Sequence, residues 1–368
     1  MKLNPALGCL SCFACGAEHD AGRLQGTCSS CRMPLRVDYE LEGFEIDTST
    51  GSLWRYRRVL PIVDGEVSLG EGWTPLRQVE EGVWVKDESG NPTGSFKARG
   101  MSVAVSMARA LGAEALAAPS AGNAAGALAA YGAAAGLSVL VAMPEDTPAA
   151  FVEECRHYGA EVQLVAGTIA EAAAWLREHG PRRAVDLSTM REPYRLEGKK
   201  TMAYELFEQF DGRLPEVIVY PTGGGTGLVG MWKAFSEMER LGWIGAERPR
   251  LVSVQAAGCA PVVRAFERGD EDVHPWKLPR TSALGLRVPA PIGGFLCLRS
   301  LRDTKGTAVA VAEAEIGAAV RELVAMGIDA CPEAGAAWAG TRPLRQEGWI
   351  GAAERVVVFN TGSGLKYR

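Results

Sequence analysis

From residue 137 onward the chain alternates short β-branched and aliphatic runs with longer alanine-rich segments, and this alternation is what most limits the folds open to it. Strands are expected at 137–143, 161–166, 184–187, 216–220, 251–255, 308–311 and 355–360. Helices are expected at 149–158, 168–179, 197–210, 228–241, 313–326 and 335–347. A strand, a helix and a second strand in succession return to one sheet as parallel neighbours, because the helix spans the crossover. The expected class is therefore α/β, with two doubly wound open sheets. A chain of 368 residues, 47% hydrophobic and 23% charged, has the length for two such domains and the apolar content for a large core.

Ligands of such sheets bind beyond the carboxyl ends of strands, so the loops that follow strands carry the chemistry. One is Pro119-Ser120-Ala121-Gly122-Asn123-Ala124, set between an apolar run and a helical one. Its N–H groups at a helix start suit a carboxylate, and the Asn123 amide suits a phenolic or carbonyl oxygen. The plainer reading is a turn with an N-capping serine. The second is Pro221-Thr222-Gly223-Gly224-Gly225-Thr226-Gly227. Glycines let its backbone fold tightly and turn several N–H groups inward beside the positive end of a helix dipole, which suits a phosphate. Gly225-x-Gly227-x-x-Gly230 also matches the dinucleotide fingerprint, but the next strand ends at Gln255 where that reading needs an acidic residue. A monophosphate fits better. The third loop, Asn360-Thr361-Gly362-Ser363-Gly364, places the Thr361 hydroxyl where it can meet a ring nitrogen. It is no nucleophile elbow, and the four histidines lie in no catalytic spacing.

A lysine stands out ahead of these loops. In Asn91-Pro92-Thr93-Gly94-Ser95-Phe96-Lys97-Ala98-Arg99-Gly100, Lys97 follows a turn-rich segment and precedes a helical run at 101–111. A lysine buried at such a boundary can act as a nucleophile or base toward a carbonyl. A lysine with its stem along the surface is the alternative.

Five of nine cysteines fall within the first 31 residues. Cys12-x-x-Cys15, twelve intervening residues, then Cys28-x-x-Cys31 is a spacing that surrounds one tetrahedral zinc with four thiolates. Cys9 has the same spacing from Cys12 and could substitute. Free cysteines are the alternative, and Cys155, Cys259, Cys297 and Cys331 read as core residues. A formal charge of −5 without a basic run argues against nucleic-acid binding. The sequence contains no apolar run of membrane-spanning length, and its N-terminus lacks the apolar core of a signal peptide. A cytoplasmic protein acting on a small molecule is expected.

Glu71-Gly72-Trp73-Thr74-Pro75-Leu76, Lys86-Asp87-Glu88, the Lys97 stretch, Ser120-Ala121-Gly122-Asn123, Gly198-Lys199-Lys200-Thr201, the Gly223 loop and Thr361-Gly362-Ser363-Gly364-Leu365-Lys366 occur in one order. Together they resemble the fold type II pyridoxal-phosphate enzymes, and more narrowly the threonine synthase family. The resemblance implies a Schiff base between Lys97 and the cofactor, with Phe96 packed near its ring. It implies Asn123 on the cofactor's 3′ oxygen, Gly223, Gly224, Gly225, Thr226 and Gly227 on its phosphate, and Thr361 on its pyridine nitrogen. Ser120 and Gly122 would hold the substrate carboxylate, and Arg195, with Lys199 second, the leaving phosphate; a surface ion pair of Arg195 with Glu192 or Glu197 is the plainer reading. The implied reaction turns O-phospho-L-homoserine and water into L-threonine and phosphate, a homodimer being the usual assembly. Ala98, Ala121 and Ala124 stand where many members carry other residues. This leaves open a related β-eliminating or β-replacing enzyme, such as a threonine or serine dehydratase or an O-phosphoserine-using synthase. A zinc-ribbon or cofactor-binding protein without catalysis is the non-enzyme reading. The expected domains are a cysteine module at 1–42, a large cofactor-binding domain at 43–94 and 196–368, and a small domain at 95–195.

Overall fold

The computed structural model describes residues 1–367, which form two compact units. The first comprises residues 1–72, 91–93 and 97–199, and the second comprises 73–90, 94–96 and the chain from 200 onward. Residues 43–72, expected with the large domain, thus go with the first unit. Buried polar contacts hold them there. The Glu71 carboxylate accepts from Trp54 Nε1 (2.9 Å) and from the Tyr131 hydroxyl (2.5 Å), and Val67 N–H donates to Ser106 Oγ (2.8 Å).

The first unit has a four-stranded parallel sheet ordered Glu161–Val165, Ser138–Pro144, Ala115–Pro119, Ala184–Asp186. Ser138–Pro144 is buried along all but its first residue, as expected of an interior parallel strand with apolar side chains on both faces. Helix Ile169–His179 starts at a reciprocal cap, in which Thr168 Oγ1 accepts from Ala170 N–H while Glu171 accepts from Thr168 N–H. Helices Lys97–Ala110 and Asn123–Ala135 pack together. A side chain at Gly198 would collide with the Arg99 carbonyl, so glycine is what lets helix Tyr194–Gln209 lie against Lys97–Ala110. A small antiparallel sheet, ordered Glu18–His19, Leu7–Cys12, Leu35–Tyr39, carries Cys9 and Cys12 on its middle strand.

The second unit is built on six strands ordered Thr307–Val311, Arg250–Ala256, Val217–Pro221, Val356–Asn360, Val83–Asp87, Leu76–Glu80. All neighbours are parallel except the last pair. That antiparallel edge corrects the purely parallel expectation, and its cause is local. Glu81 and Gly82, the latter at φ +72°, close a hairpin too short for a crossover helix. Helices Pro261–Arg268 and Gly294–Asp303 were also not expected. The first carries the signals of a helix all the same, with proline at its start and Gly269 at φ +73° after its end.

A buried ion pair ties this edge to helix Tyr194–Gln209. Lys86 Nζ donates to Glu205 Oε2 (2.8 Å), Thr74 O (2.7 Å) and Gln209 Oε1 (2.9 Å), and both charged side chains are fully buried. Glu205 in turn accepts from the N–H groups of Trp73 (2.7 Å) and Thr74 (3.3 Å). The run Lys86-Asp87-Glu88 therefore has structural work at every position. Asp87 accepts from Asn360 Nδ2 (2.8 Å), and Glu88 from Thr74 Oγ1 (2.6 Å).

Candidate active site

Lys97 is the first residue of its helix, which begins four residues earlier than the sequence pattern suggests. The tripeptide before it is fixed within the second unit. Phe96 N–H donates to Thr361 O (3.0 Å), Ser95 bridges Gly362, and Ser363 N–H donates to Gly94 O (2.8 Å). The Phe96 ring meets Tyr220 edge to face at 6.1 Å. Lys97 thus follows a backbone segment locked to the Thr361 loop. Thr361 itself is buried, and its Oγ1 lies 3.8 Å from Cys331 Sγ. Cys331 Sγ also lies 3.5 Å from Asn360 Oδ1, and burial pushes its thiol well above the ordinary range. The sequence marks Cys331 only as a core residue; its position immediately before Pro332, at a helix start, is the signal that sets it apart.

The Gly223 loop joins strand Val217–Pro221 to helix Thr226–Arg240. The first intrahelical bond there runs from Val229 N–H to Gly225 O. The amides of Thr226, Gly227 and Leu228 precede it, donors for which a helix start offers no intrahelical partner, and among the described residues no side chain of the N-cap bonds them. Side chains at Gly223, Gly225 and Gly227 would collide with the Gly285 carbonyl, Cys297 Sγ and the Tyr220 hydroxyl. Gly225 has φ +81° besides. The loop is a backbone cradle with no room for side chains beneath it, and its donor set fits a phosphate. Gln255, which weakened the dinucleotide reading, has a further duty that its sequence context did not reveal. Its Nε2 donates to Thr222 O (3.0 Å), just ahead of the cradle, while its Oε1 accepts from Val262 N–H (2.8 Å).

In the first unit, Ser120, Ala121, Gly122 and Asn123 are half-buried. The helix starting at Asn123 has Gly122 at its N-cap without a side-chain bond, so the serine-capped turn is not formed. A Cβ at Gly122 would meet nothing within 4 Å, and the loop therefore borders open space.

Arg195 is in helix Tyr194–Gln209, which starts three residues before the expected 197. It is 2% exposed, so the surface ion-pair reading does not hold. Its Nη1 donates to Leu187 O (2.7 Å) and lies 3.4 Å from Thr189 Oγ1, while Nε and Nη2 are buried without a hydrogen-bond partner among the described residues. Burial lowers the guanidinium's pKa, opposed by Glu192 and Asp186. A buried guanidinium with two unused donors is suited to an anionic ligand. Lys199, one turn further on, is fully buried. The two residues share the crossing with the Lys97 helix, where a Cβ at Gly100 would stand 2.9 Å from both Arg195 O and Lys199 Cε.

Glu192 caps this helix by accepting from the N–H groups of Tyr194 (2.7 Å) and Arg195 (2.9 Å). Burial pushes its carboxyl up to about 7 from an ordinary 4.5, against the pull of Arg195 and the two N–H groups. The folded chain then holds a proton that the unfolded chain has released, so this group's contribution to stability falls as pH rises from about 4.5 through about 7. Thermal melts across that window should show a flatter pH dependence for Glu192→Gln than for the parent. Parallel curves for the two proteins would contradict the shift.

The sulfurs of Cys12, Cys15, Cys28 and Cys31 all lie within 4.8 Å of one another. Cys12–Cys31, Cys15–Cys31 and Cys15–Cys28 are 3.4, 3.5 and 3.7 Å apart. Tetrahedral zinc with bonds of about 2.3 Å sets its sulfurs roughly 3.8 Å apart, so the four thiols fit such an ion. Cys9 is outside this group, with its sulfur 3.9 Å from Asp38 Oδ2.

Residues 67–362 match the family described as pyridoxal-phosphate dependent enzyme. The solved structure of a fungal L-serine ammonia-lyase from Rhizomucor miehei has the same fold, with a TM-score of 0.69 at 20% identity, covering 83% of this chain and 99% of that one. Threonine synthase of Methanosarcina acetivorans is 36% identical over 97% of this chain and 92% of its own length. That of Methanocaldococcus jannaschii is 35% identical over 96% and 92%. The chain belongs to the threonine synthase family.

Proposed function

We propose that this chain is a pyridoxal-phosphate-dependent threonine synthase, converting O-phospho-L-homoserine and water to L-threonine and phosphate. The reading is carried by identity to threonine synthases over nearly the full length of both chains. Arg195 adds chemical support, because two unused donors on a buried guanidinium suit the phosphate that distinguishes this substrate.

In this reading the amides of Gly223, Gly224, Gly225, Thr226 and Gly227 hold the cofactor phosphate. Asn123 donates to its 3′ oxygen, and Phe96 packs near its ring. Thr361 offers a hydroxyl to the ring nitrogen; lacking a carboxylate's charge, it leaves that nitrogen largely unprotonated. Bound there, pyridoxal phosphate supplies an electron sink for charge developing at the substrate's Cα. Lys97 takes and returns the proton at Cα. Ser120 and Gly122 orient the substrate carboxylate, and Arg195, with Lys199, holds its phosphate until it leaves. Cys12, Cys15, Cys28 and Cys31 hold one structural zinc in a ribbon-like module. The enzyme works in the cytoplasm as a homodimer, and among the described residues no helix is long and apolar enough to cross a membrane.

The test is a parallel assay with O-phosphohomoserine, threonine, serine and O-phosphoserine. Threonine and phosphate should appear together from the first alone. Phosphate without threonine, or a 2-oxo acid from threonine only, overturns the assignment. Arg195→Ala should raise KM for O-phosphohomoserine by about 10²-fold, as expected for losing a charge-assisted bidentate contact. An unchanged KM removes Arg195 from this role.

A further inference from the structure

Twelve residues separate Cys15 from Cys28, and this loop includes Gly16, Gly22 and Gly26. Its regular structure is one two-residue strand, Glu18–His19. Such a loop has little intrinsic order, and a metal ion held at both of its ends would restrict it strongly. Its middle touches the segment that carries Arg195. The Tyr194 hydroxyl donates to Ala21 O (3.2 Å), and a Cβ at Gly26 would stand 3.2 Å from Arg191 O. On the last strand of the module, the Tyr39 hydroxyl donates to Glu197 Oε2 (2.9 Å). These contacts fall at residues 191, 194 and 197, on either side of Arg195. Cys12, Ala21, Cys28 and Tyr39 also share one buried apolar cluster with Leu187 and Tyr194. Leu187 is the residue whose carbonyl accepts from Arg195 Nη1.

We infer that the four-cysteine module positions Arg195, so that metal at Cys12, Cys15, Cys28 and Cys31 governs its anion affinity: the loop between the cysteine pairs buttresses the helix start that aims the guanidinium. Tyr194 is the positioning residue through which the support acts. The inference rests on the reading of Arg195 as the anion-binding residue.

Inorganic phosphate is the probe, titrated calorimetrically into holoenzyme whose cofactor already fills the Gly223 cradle. The zinc-loaded, chelator-stripped and zinc-reloaded proteins are compared with Tyr194→Phe and Arg195→Ala. Stripping should weaken phosphate binding by about tenfold or more, and reloading should restore it, with the cofactor's visible absorption unchanged throughout. Tyr194→Phe, which keeps the ring and all four thiols, should weaken it by about three- to tenfold and raise KM more than it lowers kcat. Equal affinity of stripped and loaded protein overturns the inference, as does a chain that binds no metal. If stripping unfolds the chain, Tyr194→Phe decides, and wild-type affinity in that variant overturns it. Phosphate binding that survives Arg195→Ala, or is undetectable in loaded wild type, refutes the Arg195 reading itself, whatever the metal does.

Discussion

Lys97→Ala is expected to lower turnover by at least ~10³-fold and to abolish the visible absorption of bound cofactor, while leaving the fold intact. The scale follows from removing the group that moves the Cα proton, a role worth about 10²–10⁴-fold by itself. The fold should survive because the helix from Lys97 to Ala110 is built from buried Ala98, Met101, Val103, Ala104, Val105 and Met107, and alanine is the strongest helix former. The tripeptide bonds to the Thr361 loop are made by backbone groups of Gly94, Ser95 and Phe96, which the substitution does not touch. Absorption spectra with matched circular dichroism check the result. A variant that keeps its visible band and its rate would remove Lys97 from the chemistry.

Glu205→Ala is expected to have the largest effect on stability. Lys86 and Glu205 are both fully buried, and removing one partner leaves the other's charge uncompensated in an apolar interior. Such losses typically amount to about 3–5 kcal/mol. Here the Trp73 and Thr74 amides lose their acceptor as well. A double variant, Lys86→Met with Glu205→Leu, should recover much of the loss, because two apolar side chains of similar size leave no buried charge. Denaturant titration measures both. A cost below about 1 kcal/mol for Glu205→Ala would give the pair no more weight than an exposed one.

Much of this architecture was legible because its strands are continuous apolar runs and its loops carry unusual residues. Val356–Asn360 and Glu313–Ala325 fall where the pattern put them, and the Gly223 loop does join a strand to a helix. What stayed hidden depends on partners distant in sequence. Residues 43–72 join the first unit through Glu71, Trp54 and Tyr131, a buried polar set that no local pattern signals. The pattern starts this helix at 197 and leaves Arg195 outside it, yet the Glu192 carboxylate caps a helix that starts at Tyr194. Leu76–Glu80 has too little apolar character to stand out, and it is a strand because a hairpin sets it beside Val83–Asp87. In the sequence Gln255 signals only the lack of an acid, whereas both ends of its side chain are used.

The order of strands in the second unit bears on how the chain is made. Val356–Asn360 lies in the middle of the six-stranded sheet, between Val217–Pro221 and Val83–Asp87, and Asn360 bonds Asp87 from 273 residues away. During synthesis at roughly 5–20 residues per second, the edge of Val83–Asp87 waits on the order of half a minute for its neighbour. Until then the sheet is two fragments, each presenting unpaired backbone groups to any strand that passes. The nascent chain should therefore lean on chaperones in that interval, and the strand that ends it also delivers Thr361, so closing the exposed edges and completing the loop are one event.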